Sequence, residues 1–207
     1  MELAVDFYYG LGSRYSYLAT TQLERIAAAT GCRFEWRPVS SGALMGLRGA
    51  RPFRGAPVSG QYEWPYRRHD AEAWAEYYGV PYREPVDFLV DPDYLAVAAS
   101  AAKQLGGVEA YSRRLFQAIF IEGRTVAEDD LTKLATEAGL DAAGFRAQLD
   151  DPATAARYQA ELRRARERGA FGVPTFFLGE RMFWGNDRLL LLEHFIEKAR
   201  VAAGAGT

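Results

Sequence analysis

The first patterned segment, Leu3-Ala4-Val5-Asp6-Phe7-Tyr8-Tyr9, is short, β-branched and aromatic, and it stops at Gly10-Leu11-Gly12. A run of that length ended by glycines predicts a buried strand. Apolar residues then recur at helical spacing from Ser13 to Thr30, where Tyr17, Leu18, Leu23, Ile26 and Ala27 form one stripe and Gly31 follows as a stop. Arg33-Phe34-Glu35-Trp36-Arg37 alternates and predicts a second strand, ended by Pro38. The chain thus opens β-α-β, which implies parallel pairing through a right-handed crossover.

The middle of the chain is patterned differently. Ser40 to Gly60 is rich in Gly, Pro, Ser and Arg and predicts an irregular, ordered loop with some helix near Gly42–Leu47. Tyr62 to Tyr78 reads as a helix ended by Gly79-Val80-Pro81, and Asp91-Pro92 as a helix start with a capping Asp and Pro just inside it. From there to Gly169 helix follows helix, with breaks at Gly106-Gly107, Gly123, Gly139 and Asp150-Asp151-Pro152. The pattern then changes to Thr175–Leu178, a Gly179-Glu180 turn and Arg181–Trp184, which is a hairpin. Asn186-Asp187 is expected to cap a last helix through Leu189, Leu192, Phe195 and Ile196. One sheet forms from these distant parts only if the terminal strands meet. Residues 1–40 and 170–207 therefore make an α/β unit, and residues 41–169 an inserted all-helical one.

Composition narrows the chemistry. The 207 residues carry 25 basic and 27 acidic side chains, a formal charge of −2 that offers no footprint for nucleic acid or an anionic membrane. A hydrophobic fraction of 49% suffices for a sizeable core. The single cysteine, Cys32, makes neither an intrachain disulfide nor a thiolate metal site, and the two histidines, His69 and His194, are far apart, so no metal is expected. Met1 to Phe7 lacks the basic start of a signal peptide and no apolar run approaches a membrane span, which predicts a cytoplasmic protein.

Two short motifs at opposite ends of the chain stand out. In Gly172-Val173-Pro174-Thr175 the proline is compatible with the first residue of a strand or with a cis Val173–Pro174 bond, a form taken by only about 5–6% of such bonds. In Gly12-Ser13-Arg14-Tyr15-Ser16-Tyr17 a serine falls at the start of the first helix, where it caps free amides or serves chemistry. A β-α-β start combined with a distal Val-Pro-Thr hairpin is the thioredoxin arrangement. In it a C-x-x-C pair occupies that helix start. Here the four positions read Ser13-Arg14-Tyr15-Ser16, so dithiol redox chemistry is excluded by composition.

Asp6-Phe7, Ser13-x-x-Ser16-Tyr17-Leu18-Ala19, Phe171-Gly172-Val173-Pro174-Thr175-x-Phe177 and Trp184-Gly185-Asn186-Asp187-Arg188 together resemble the 2-hydroxychromene-2-carboxylate isomerases. These are relatives of the kappa-class glutathione transferases within the DsbA-like branch of the thioredoxin fold. The resemblance spans nearly the whole chain in element order and is weakest between about Ser40 and Tyr94. It implies a DsbA-like fold with an all-helical insertion, glutathione as cofactor, a small aromatic or electrophilic substrate, and a homodimer. It also implies that Ser13 donates a hydrogen bond to the glutathione sulfur and does not itself attack, with Ser16 as a supporting residue. The energetics are coherent: lowering a thiol pKa from about 8.5 by roughly two units takes about 2.7 kcal/mol. A helix N-terminus supplies about 0.3–1 kcal/mol and a hydrogen bond to a charged acceptor roughly 1.5–3 kcal/mol.

By the same resemblance, the backbone of Val173 before Pro174 pairs with the cysteinyl unit of glutathione. Trp184, Gly185, Asn186 and Asp187 hold the γ-glutamyl end, the free amides taking its carboxylate and Asp187 its ammonium. The aromatic substrate falls near Leu44 and Met45, with Trp64 or Phe88 as walls. Arg48, Arg51 and Arg54 are equally compatible with binding a carboxylate and with a solvated surface. The chain departs from the family motif at Arg14, where the family has proline. Isomerisation by reversible thiolate addition, conjugation of the kappa type, and a non-catalytic binding module remain the alternatives. Arg163-Arg164-x-Arg166-x-Arg168 is expected to be a solvated helix face.

Overall fold

The computed structural model describes residues 3–46, 64–87 and 90–204. Strand β1 (Ala4–Tyr9) pairs in parallel with β2 (Arg33–Pro38), Ala4 opposite Arg33 and Tyr9 opposite Pro38. On its other side β1 takes β3 (Thr175–Leu178) as an antiparallel neighbour, Phe7 opposite Phe176, and β3 turns back into β4 (Arg181–Trp184). The sheet order is β2-β1-β3-β4, so the two ends of the chain form one sheet. Helix α1 (Arg14–Thr30) makes the crossover from β1 to β2, and the short α2 (Ser41–Leu44) follows β2. Between β2 and β3 then come α3 (Trp64–Tyr78), α4 (Pro92–Gln104), α5 (Val108–Phe120), α6 (Asp130–Glu137), α7 (Ala142–Asp150) and α8 (Pro152–Glu167). A 3-10 turn (Asn186–Arg188) leads into α9 (Leu189–Gly204). The fold is a DsbA-like thioredoxin fold with α2 to α8 inserted between the two halves of the sheet.

The alternation of β1 sorts its side chains to two faces. Val5, Phe7 and Tyr9 point to the face covered by α1, α5 and α9. There Phe7 stacks on Phe176 at 4.9 Å and meets Trp36 edge-on at 5.2 Å. The Tyr9 hydroxyl finds Ser112 Oγ of α5 at 2.6 Å, which satisfies a fully buried polar atom. This core runs from the sheet into α4, α5, α6 and α7 without a break. Cys32 is buried within it.

On the opposite face Tyr8 and Phe177 lie beneath Tyr158, Leu162 and Ala165 of α8. Asp6 projects to the same side and accepts hydrogen bonds from Arg37 Nε and Arg168 Nη1, both at 2.6 Å. Glu161 of α8 takes Arg37 Nη1 at 3.0 Å and the Tyr8 hydroxyl at 3.1 Å. The guanidinium of Arg168 also sits 3.9 Å over the Phe177 ring. The expectation of a solvated arginine face therefore holds for Arg163, Arg164 and Arg166, which are exposed, but not for Arg168, which is half-buried. Arg166 donates to the carbonyls of Ala43 and Leu44, and Arg168 is bound to Asp6. The end of α8 comes back over the sheet, and its last cations meet the carboxylate and carbonyls there.

Burial opposes ionisation of Asp6, but the hydrogen bonds from Arg37 and Arg168 outweigh it and hold the carboxyl below its ordinary range. Because the folded pKa is depressed, the stabilisation is complete above the unfolded value and is lost as pH falls through the folded one. Asp6→Asn is expected to cost about 3 kcal/mol at neutral pH and to flatten the loss of stability on acidification. Urea unfolding of both proteins across a pH series measures this; parallel curves for the two would refute it.

Candidate active site

The site begins at the turn between β1 and α1. Ser13 N–H donates to the carbonyl of Gly10 at 2.9 Å, closing the turn. Ser13 is the N-cap of α1 with extended backbone (φ −100, ψ 117), and its Oγ accepts from the amide of Ser16 at 3.2 Å. A hydroxyl that accepts through oxygen keeps its own proton to donate. Ser13 therefore caps the helix and offers an O–H at the same time. Ser16 is fully buried, and its Oγ accepts from Gly10 N–H at 3.2 Å. It ties the turn down from beneath.

The far end of the chain arrives at this turn through β3. The Val173–Pro174 peptide bond is cis, one of the two alternatives left open by the sequence. A Cβ placed on Gly10 would lie 3.1 Å from Val173 Cγ2, 3.3 Å from the Val39 carbonyl and 3.9 Å from Ser13 Cβ. The absence of a side chain at Gly10 is what lets Val173 approach the Ser13 turn. Val173 lies beyond the β1–β3 ladder, which ends at Thr175, so pairing in the sheet does not consume its N–H and C=O. The carbonyl of Pro174 accepts from Gly185 N–H at 2.9 Å, and Thr175 Oγ1 donates to the Gly172 carbonyl at 2.8 Å.

Trp184 ends β4 and is 47% exposed, with its ring 4.8 Å from Phe171. Gly172 passes directly under it: a Cβ there would sit 2.6 Å from the indole nitrogen. Gly185 takes φ 108, a conformation closed to most side chains, and so turns the chain from β4 into the last helix. Contrary to the sequence expectation, Asn186 and Asp187 do not cap the start of this turn. Gly185 occupies the N-cap of a 3-10 turn with no side-chain cap bond. The Asp187 carboxylate instead meets Arg188 Nη1 at 2.7 Å. Asn186 is only 4% exposed, its carbonyl accepts from the Tyr78 hydroxyl at 3.2 Å, and its side-chain Nδ2 is buried without a hydrogen-bond partner among the described residues.

Beside this turn lies a cleft of about 510 Å³ between α1, α3 and α9, lined by Gln22, Arg25, Trp74, Tyr78, Asn186 and Asp187 among others. Arg25 makes a double hydrogen bond to Glu193 at 2.9 Å across it. Gln22, Arg25, Trp74 and Tyr78 carry no motif that marks them; their pattern is that of ordinary helix residues. The position of Arg14 was likewise unreadable. Its side chain is buried and its Nε lies 3.0 Å from Glu84 Oε1. Glu84 also takes the Tyr82 hydroxyl at 2.5 Å and Arg68 Nε at 3.2 Å. Burial first, and then bonds to Glu84 and Asp70, push the Tyr82 and Tyr15 hydroxyls well above the ordinary tyrosine range, so both stay protonated.

The structure thus brings Ser13, Val173 and Pro174 together, and Trp184, Gly185, Asn186 and Asp187 follow directly from Pro174 through the Gly185 bond. Leu44 is buried beside Val39 and Val173, with Tyr8 and Phe177 in the same cluster, while neighbouring Met45 is exposed. Arg48, Arg51, Arg54 and Phe88 lie outside the described residues. His69 and His194 are exposed. Among the described residues no group of three or more His, Cys, Asp or Glu is placed to hold a metal ion, and no helix is long and apolar enough to cross a membrane.

This fold, with a helix start facing a cis-proline, defines a thioredoxin-type protein. The family model described as a DSBA-like thioredoxin domain matches residues 4–197, and the chain belongs to that family. Within it, the chain belongs with the 2-hydroxychromene-2-carboxylate isomerases. It is 31% identical to the enzyme of that name from Pseudomonas putida over 192 residues, covering 92% of this chain and 93% of the relative. It is also 31% identical to the one from Sphingobium xenophagum, covering 95% and 99%. A solved structure of a 2-hydroxychromene-2-carboxylate isomerase superposes with a TM-score of 0.81 at 25% identity, covering 99% of this chain and all of that one. The relatives are isomerases, which places the chain among enzymes.

Gly172→Ala is expected to push the indole of Trp184 off the chain beneath it, at a cost of about 1–3 kcal/mol. Tryptophan fluorescence and its quenching by acrylamide, with Trp184→Phe as the control, should report greater exposure of that ring. An unchanged spectrum would mean that Gly172 and Trp184 are not in the close contact described.

Proposed function

We propose that the chain is a glutathione-dependent isomerase acting on an aromatic, unsaturated keto acid of the 2-hydroxychromene-2-carboxylate type. The observation that carries this reading is the Ser13 hydroxyl. Its oxygen is spent on the Ser16 amide, its proton is left to donate, and it stands beside the cis Val173–Pro174 bond. The N-cap role leaves unexplained why Val173, whose backbone lies outside the β1–β3 ladder, is brought up to this turn. The residues present suit a tripeptide with a thiol and two carboxylates. Val173 has backbone groups outside the ladder, and Asn186 carries a buried amide nitrogen with no partner among the described residues.

When bound, glutathione supplies a thiol that adds reversibly to a conjugated double bond and leaves unchanged. The protein's part is then positional. Ser13 directs its O–H at the sulfur and favours the anion, helped by the first-turn amides of α1. Val173 aligns the cysteinyl unit as an added strand would. Asn186 and Asp187 hold the γ-glutamyl end, with Asp187 exchanging Arg188 for the ammonium. Trp184 walls the site, and Met45 stands on the substrate side. Leu44, being buried, supports that side from within. Family membership and the names of the relatives support the aromatic substrate.

Loss of the Ser13 hydroxyl removes a hydrogen bond to an anion and is expected to lower turnover roughly 10–100-fold. Ser13→Gly is the informative variant, because glycine at an N-cap costs only a few tenths of a kcal/mol of stability. Near-normal turnover by Ser13→Gly would overturn the assignment. Substrate loss with glutathione fully recovered supports isomerisation, and stoichiometric loss of glutathione would point to conjugation. Calorimetric titration of glutathione should show binding by the parent and weaker binding by Asp187→Ala; no binding by the parent would leave a non-catalytic module.

A further inference from the structure

We propose that the buried Arg14–Glu84 ion pair is a positioning device that holds the first turn of α1, and with it the Ser13 hydroxyl, in the orientation that meets a thiolate. The inference rests on the glutathione reading above. Arg14 is the first helical residue after the Ser13 cap, yet its side chain is buried, at 6% exposure, against an equally buried Glu84 carboxylate 3.0 Å away. Isolating such a pair from water is costly, and apolar residues of similar size would serve stability as well or better. What an ion pair adds is direction, because Arg Nε meets a carboxylate oxygen only along a narrow approach.

The pair has a rigid anchor. Glu84 lies on the strap 81–87 that follows α3, and the strap is fastened from several sides. The Tyr17 hydroxyl of α1 donates to the Pro81 carbonyl, and Arg83 N–H donates to the Phe120 carbonyl of α5 at 2.7 Å. Tyr82 stacks on Phe120 and donates to Glu84. Among the described residues, the charged and titratable groups around the pair include Tyr15 on α1, Arg67, Arg68 and Asp70 on α3, and Tyr82 on the strap; α5 contributes the Phe120 ring. Arg14 thus ties the first turn of the helix, from its outer side, to a segment that is itself fastened to α1 and α5.

The backbone allows a direct test. Ser13 has φ −100 and ψ 117, the extended geometry that a following proline demands, and Arg14 stands at the helix position where proline is best tolerated. Proline at 14 should restrict the first turn through its ring without any partner. The full-length chain and its variants are saturated with glutathione, and the bound thiol is titrated by its thiolate absorbance in the ultraviolet, with affinity read by calorimetry.

Arg14→Ala and Glu84→Leu are each expected to raise the bound thiol's pKa by about half a unit to one unit. Arg14→Pro combined with Glu84→Leu leaves no buried charge unpaired and should return it to within about 0.3 units of the parent. The sign for Glu84→Leu is decisive. If Arg14 acted merely as a nearby positive charge, removing Glu84 would unmask that charge and lower the thiol pKa. A lowered or unchanged value in Glu84→Leu, or a double variant no better than Arg14→Ala, overturns the proposal while leaving the glutathione reading intact. A parent chain that binds no glutathione removes both.

Discussion

The pairing of β1 with β3 is the constraint on which the rest depends. It sets Phe7 against Phe176 and joins residues from the two ends of the chain in one sheet. All the candidate chemistry lies just past the ends of these two strands. Ser13 follows β1 after a tight turn, and Val173-Pro174 precede β3. A slip of one residue in this ladder would turn Phe7 and Phe176 away from α5 and separate Ser13 from Val173. The register is protected by burial, since both faces of β1 are covered. One is covered by the continuous aromatic and aliphatic core. The other is covered by α8 with the Asp6, Arg37, Arg168 and Glu161 network, whose directional bonds fit only one alignment of strand and helix.

Small residues then decide how closely the parts of the site approach. Gly10 admits Val173 to the Ser13 turn, and Gly172 admits the Trp184 indole. Larger residues at either point would leave the fold intact in outline and the site too wide. This is a division of labour: aromatic residues set the register, and glycines set the final distances. The last helix depends on the same junction, because Gly185 is bonded to Pro174 and delivers Asn186 and Asp187 in one turn.

Much of this was readable from the sequence because the signals were local. The hairpin Thr175–Leu178 and Arg181–Trp184, the Asp91-Pro92 helix start and the Gly31 stop each carry their own turn or cap chemistry, and each appears where the pattern placed it. Asn186-Asp187 has the residue types of a cap, yet Arg188 takes the Asp187 carboxylate, and a pattern of residue types does not rank two local partners. Arg14 and Glu84 were unreadable for another reason. They meet across a long stretch of helix and strap, and an isolated charged pair leaves no periodic trace. Arg168 looked like part of a solvated face for the same reason: its partner, Asp6, is on a strand from the other end of the chain.

A helix start that faces a cis-proline concentrates free amides, a positive dipole end and unpaired backbone at one point. That environment favours a sulfur anion whether the sulfur is covalently part of the chain or bound to it. With serine at both positions of the motif, the protein cannot form the disulfide that would make this a redox centre. In the proposed reading, the same electrostatics instead fall on the thiol of glutathione. A hydroxyl at Ser13 is better suited to that task than a thiol, because it donates a hydrogen bond without being oxidised and without attacking in its own right. Its usefulness depends on direction, and direction is what a frayed first turn would lose. A buried ion pair at the very next residue is consistent with that proposed chemistry, because a group that is to stabilise a transient anion has to be held in place before the anion forms.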